Sequence, residues 1–132
     1  MAFEINFDVT HDDRRVRRSE QLDTALSYQL DACVERAGLT TMVLADQDRL
    51  LVASSSTPDP KDEELAAILP LLVQGSDFAG ILLGQQSPGD QVVVSEFNAA
   101  GTNLYLCAVG DYGRKTHEEV ARAKVGVRRI LN

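Results

Sequence analysis

The sequence predicts a mixed α/β (α+β) domain with elements in the order α-β-β-α-β-β-β-α. Three observations carry that expectation. Apolar residues recur at helical spacing in three segments, opening near residues 19, 60 and 116. Between them lie short, nearly continuous apolar runs of Val, Leu and Ala, the pattern of strands buried on both faces. Compact turn sequences part the runs: Asp46-Gln47-Asp48-Arg49, "SPGD" at 87–90 and "NAAGTN" at 98–103.

Residues 1–18 read as an arm ahead of a single domain at 19–132. In the arm Phe3, Ile5, Phe7 and Val9 alternate with Glu4, Asn6 and Asp8, a period-2 pattern that suits a short strand. "HDDRRVRR" follows, dense in charge. From Ser19 the period changes. Leu22, Ala25, Leu26, Leu30, Cys33, Val34 and Ala37 share one side of a helix. Ser19 suits the N-cap and Gly38 the left-handed C-terminal stop.

Leu39–Ala45 and Leu50–Ser54 are the next two strands, and the tight turn between them implies antiparallel pairing. Asp59 and Pro60 make an N-cap and first-position pair for a second helix, with Asp62, Glu63 and Glu64 favouring the positive end of its dipole. Leu65, Ile68, Leu69 and Leu72 carry that helix to about Gln74. Pro70 should kink or shorten it, because proline has no N–H to give the preceding turn. Phe78–Gln86 reads as a strand rather than a resumed helix, since Gly75, Gly80 and Gly84 are poor helix residues. Gln91–Phe97 and Leu104–Val109 complete the strands. Thr116–Leu131 is the last helix, with Thr116 as expected N-cap, Glu118 and Glu119 in its first turn, and a stripe of Val120, Ala123, Val127, Ile130 and Leu131.

Composition narrows the function. The chain has 132 residues, 44% hydrophobic, 25% charged and only 5% aromatic, with no Trp. Scarce aromatics argue against a stacking platform for single-stranded nucleic acid or sugar. The net charge of −7 is uneven. Residues 114–132 sum to +4 and residues 1–18 to zero, so residues 19–113 hold −11. An acidic body repels phosphates, which disfavours nucleic acid and anionic membranes. Cys33 and Cys107 each sit in an apolar run and read as small core hydrophobes. Two cysteines make no disulfide framework, so the expectation is a reduced, cytoplasmic protein without membrane insertion.

No motif carries chemistry. Asp46 and Asp48 suggest a cation loop, but Ca²⁺ needs six or more oxygens and no acidic residue follows in register, so they read as the bend of a hairpin. Gly110-Asp111-Tyr112-Gly113 precedes a helix N-terminus, yet it lacks the Lys-Ser/Thr of a phosphate-binding loop and is surrounded by acids. His11 and His117 are isolated, short of the three or four ligands of a zinc site. Ser54, Ser55, Ser56 and Thr57 read as a turn and cap region. The expectation is therefore no catalytic residue, no metal and no cofactor. The candidate partner contacts are Arg14, Arg15, Arg17 and Arg18 of the arm, Arg122, Arg128 and Arg129 of the last helix, and Asp46 and Asp48 at the hairpin rim.

Three stretches are similar to the roadblock/dynein light-chain family. They are "GLTTMVLADQDRLLVASS" at 38–55, the acid-started helix "DEELAAILPLL" at 62–72, and "NLYLCAVG" at 103–110 followed by a helix. Together they cover about residues 20–132. The resemblance implies a five-stranded antiparallel sheet sandwiched by helices, of the profilin-like kind, in a homodimer. It implies a non-catalytic adaptor that binds a Ras-like small GTPase or another signalling protein in bacterial signalling. Pro70, the stretch at 78–86 and the arm depart from the pattern. The rival is a small-molecule sensor of GAF or PAS type, which would need an enclosed pocket between sheet and helices.

Overall fold

A computed structural model describes residues 21–56, 60–80, 90–111 and 113–132. The arm, the expected caps Ser19 and Asp59, and residues 81–86 of the expected third strand lie outside these described residues. Eight elements follow in the expected order. They are α1 (residues 21–37), β1 (Thr41–Asp46), β2 (Leu51–Ser54), α2 (Pro60–Leu72), β3 (Phe78–Gly80), β4 (Gln91–Ala99), β5 (Thr102–Gly110) and α3 (Arg114–Leu131). The strands form one antiparallel sheet in the order β2-β1-β5-β4-β3.

One register line crosses the whole sheet, from Ser54 through Val43, Cys107 and Val94 to Phe78. Because side chains alternate along a strand, neighbouring residues of β1 and β5 enter opposite layers. Met42, Leu44, Leu104, Leu106, Ala108, Phe97 and Ala99 pack with Leu26, Leu30 and Cys33 of α1 and Val120, Ala123 and Val127 of α3. Val43, Ala45, Val92, Val94, Tyr105, Cys107 and Val109 pack with Leu65, Ala66 and Leu69 of α2. The sheet is thus covered by two helices on one face and one on the other, which is why β1 and β5 read as unbroken apolar runs.

Both tight hairpins solve the same steric problem. Residues 46–50 form a turn in which Arg49 takes φ 67°, and the Asp46 N–H bonds the Leu50 carbonyl at 3.1 Å. This is a type I turn followed by a left-handed residue. Asp46 Oδ1 holds it by accepting from the N–H groups of Asp48 at 2.9 Å and Leu50 at 3.1 Å. In the β4–β5 hairpin Ala100 (φ 53°) and Gly101 (φ 77°) are both left-handed, the two-residue turn whose twist matches the strands.

Gly110 ends β5 at φ 150°, and a Cβ there would meet the Thr40 nitrogen at 3.0 Å and Leu39 Cα at 3.1 Å. Only glycine lets the α1–β1 connection pass that close.

The last helix starts earlier than expected. Its N-cap is Gly113, in extended backbone, and Thr116 is the third helical residue. The Thr116 hydroxyl accepts from the Gly113 N–H at 3.1 Å and donates to the Asp111 carbonyl at 3.3 Å. It works backwards over the loop instead of starting the helix. Glu118 and Glu119 consequently fall in the second turn, and the first holds no acid. Pro70 lies inside α2, which ends two residues later at Leu72, short of Gln74.

Candidate interaction surfaces

Helices α1 and α3 are joined by a carboxylate. Glu119 is 5% exposed, on the same side of α3 as Val120 and Ala123. Its two oxygens each take one guanidinium: Arg36 Nε from α1 at 2.9 Å and Arg122 Nη1 at 2.9 Å. Arg36 also donates to Cys33 Sγ at 3.5 Å, and Gln29 does so at 3.7 Å. Burial raises the Cys33 thiol pKa, against the hydrogen bond from Arg36. Both arginines keep water contact, and the carboxylate's charge is balanced twice over. This arrangement fastens two helices and leaves no acid or base poised for chemistry.

A groove of about 620 Å³ runs between α1 and the outer edge of β2. Asp23, Thr24, Ser27, Tyr28 and Asp31 of α1 form one wall, residues 51–56 the floor, and Glu63 of α2 closes it. Among the described residues no lysine or arginine lines it. Tyr28, 73% exposed, stands at its rim. The serines of the floor are structural. Ser54 donates to the buried Asp62 at 3.1 Å, and Ser55 Oγ accepts from the Met42 N–H at 3.0 Å.

The face under α2 is different. Leu71 of α2 is 52% exposed, and Ile68, Leu72, Val73 and Phe78 are only partly buried against the apolar layer of that face. The short edge strand β3 carries Phe78. On the opposite face beside β3, a cleft of about 280 Å³ is rimmed by Asp77, His117 and Lys124. There Ser95 Oγ donates to Asp77 Oδ2 at 3.2 Å. Among the described residues no group of His, Cys, Asp or Glu side chains is placed to hold a metal ion. None of the described helices is long and apolar enough to cross a membrane.

The residues expected to face a partner are scattered. Asp46 caps its own hairpin, and Asp48 is exposed in the loop. Arg122 is bound to Glu119. Arg128 donates to the Asn98 carbonyl at 3.0 Å and lies 5.5 Å from the Phe97 ring centre, so it packs α3 on β4. Arg129 is exposed in the last turn. The register Asp46–Leu104–Phe97 puts the hairpin and Arg128 at the same end of the sheet. Arg14, Arg15, Arg17 and Arg18 lie outside the described residues. Sequence reasoning passed over Glu119, Arg36 and the acids of the groove. Glu119 was legible, because it sits four residues before Ala123 and so shares the apolar stripe.

Solved structures resemble this arrangement closely enough to compare. Myxococcus xanthus MglB superposes with a TM-score of 0.61 over 81% of this chain and 87% of its own, at 13% identity. A structure of MglB with tetrameric arrangement gives 0.59 at 17% identity, covering 83% and 90%. The gliding protein MglB from Thermus thermophilus gives 0.58 at 17% identity, again covering 83% and 90%. The chain has a bacterial roadblock-type fold. The antiparallel sheet with helices on both faces, expected from the three matched stretches, is the sheet found. No protein-family model matches the sequence, and no curated protein matches it significantly.

Proposed function

We propose that the chain is a non-catalytic homodimeric adaptor or regulator that binds a Ras-like small GTPase or another signalling protein. The observation that carries this reading is the likeness to MglB over more than four-fifths of both chains. One of those MglB structures is a tetrameric arrangement, so the fold is compatible with self-association. The exposed Leu71 on α2 and the half-covered Leu72, Val73 and Phe78 on the same face of the sheet are apolar surface suited to a second copy. The acidic body suits a partner with a basic surface. Helices and sheet are filled against each other by the two apolar layers, so no observation favours the sensor alternative.

The test has two stages. Light scattering of the purified chain at micromolar concentration should give twice the chain mass of 14.4 kDa. Titration with a purified Ras-like GTPase should then show binding, or a change in nucleotide hydrolysis. A strict monomer that alters neither binding nor turnover for such GTPases would overturn the reading.

A further inference from the structure

The groove along β2 has the shape and charge of a site for an extended basic segment. An edge strand offers backbone groups to a further strand. The floor offers Leu51 and Val52, half buried, and the walls carry Asp23, Asp31 and Glu63 with no base among the described lining residues. The chain contains one short stretch of matching character, Arg14-Arg15-Val16-Arg17-Arg18, four positive charges around one β-branched residue. It ends three residues before the first described residue of α1, and Asp23 stands at that end of the groove.

The lengths agree. Along α1 the eight steps from Asp23 to Asp31 rise by about 12 Å at 1.5 Å each. In extended backbone the four steps from Arg18 to Arg14 cover about 13 Å. A chain that reverses at residues 19–20 would run antiparallel to α1 and bring Arg18 to Asp23 and Arg14 to Asp31. Val16 would then share a face with Arg14 and Arg18, on the side of Val52.

We propose that residues 14–18 of the chain's own arm occupy this groove, adding a short strand to β2 and neutralising its acidic walls. The arm then covers the one sheet edge that the helices leave next to an acidic channel. This proposal is independent of the GTPase reading.

Hydrogen exchange of the full chain tests it. Amides of residues 51–56 should be protected in low salt and should exchange at least about tenfold faster when Arg14, Arg15, Arg17 and Arg18 are all changed to Gln. Amides of residues 104–109, in the sheet centre, should stay as they are. About 1 M salt, which shortens the screening length to roughly 3 Å, should reproduce the effect in the unaltered chain, so the measurement does not depend on a variant folding. Changing Asp23, Asp31 and Glu63 to Arg should also expose β2, and combining this with Glu at the four arginine positions should restore protection. Unchanged exchange at 51–56 in the arginine variant and in salt overturns the proposal. Protection that is lost on hundredfold dilution overturns it too, because the occupant would then be an arm from another copy.

Discussion

The two faces of the sheet are finished in different ways. The face under α1 and α3 is closed within the chain. Its apolar layer is capped by two helices, and Glu119 of α3, also held by Arg122 of its own helix, ties them through Arg36 of α1. The face under α2 has one helix for the same width of sheet. Its layer ends at Leu72, Val73 and Phe78, and further along β4 the outward positions are already exposed Glu96 and Asn98. Among the described residues, the first face is closed by two helices and the second leaves apolar side chains partly exposed.

Truncation of one large buried side chain in each layer gives the largest expected effects. Leu30→Ala on the closed face and Leu69→Ala on the open face, both 0% exposed, should each cost about 2–5 kcal/mol in urea unfolding. If Leu69→Ala costs less than about 1 kcal/mol, α2 does not clamp its face and the comparison fails.

The cysteines sharpen the contrast, because each layer holds one. Cys107 is fully buried among apolar side chains, and burial alone pushes its thiol pKa far up. Cys33 is buried too, but Arg36 and Gln29 donate to it. Cys107→Ser should therefore cost about 1–3 kcal/mol for an unsatisfied hydroxyl, while Cys33→Ser, which keeps donors at hand, should cost less than about 1 kcal/mol. Both thiols are raised in the folded protein, so their contribution is full below the unfolded thiol pKa of about 8.5. It is lost as pH rises through the folded values, by at most about 1.4 kcal/mol per pH unit for each. Unfolding midpoints between pH 7.5 and 9.5 should fall, and Cys107→Ala should flatten the fall.

Glu119→Gln probes the fastening of the closed face. It removes the charge that two guanidiniums share. Because those guanidiniums are about half exposed, they return to water at low cost, and the loss should be about 1–2 kcal/mol, smaller in high salt.

The difference between the faces was only half legible in the sequence. Strand and helix order followed from periodicity, and the unbroken runs of β1 and β5 announced strands covered on both sides. Local polar bonds were harder to read. Thr116 had the chemistry of a helix cap, but its hydroxyl serves Gly113 and Asp111, a choice made by the loop. Arg36 and Glu119 are 83 positions apart, and nothing local in either residue's neighbourhood announces the other. The acids of the groove come from α1 and α2, on either side of β2, and meet only once those helices flank that strand. Arg122 and Arg128 stood out in the sequence as candidate partner contacts, because sequence shows their charge but not the Glu119 carboxylate and Asn98 carbonyl that they bond.

The smallest change in stability should come from Leu71→Asp, and it tests the open face most directly. Leu71 is already 52% exposed, so an aspartate there displaces little packing, and the protomer's own unfolding free energy should move by no more than about 0.5 kcal/mol. A second copy seated on α2 would instead have to bury that carboxylate against apolar side chains, and Arg49, one helical turn away, is already engaged by the Ala67 carbonyl. Association should therefore weaken by at least about tenfold, read as a shift toward the monomer by light scattering across a dilution series. Should the variant associate as the unaltered chain does, the margin of α2 is not where copies meet. Should it lose stability by several kcal/mol in dilute solution, Leu71 belongs to the protomer's core, and the contrast between a closed face and an open one disappears.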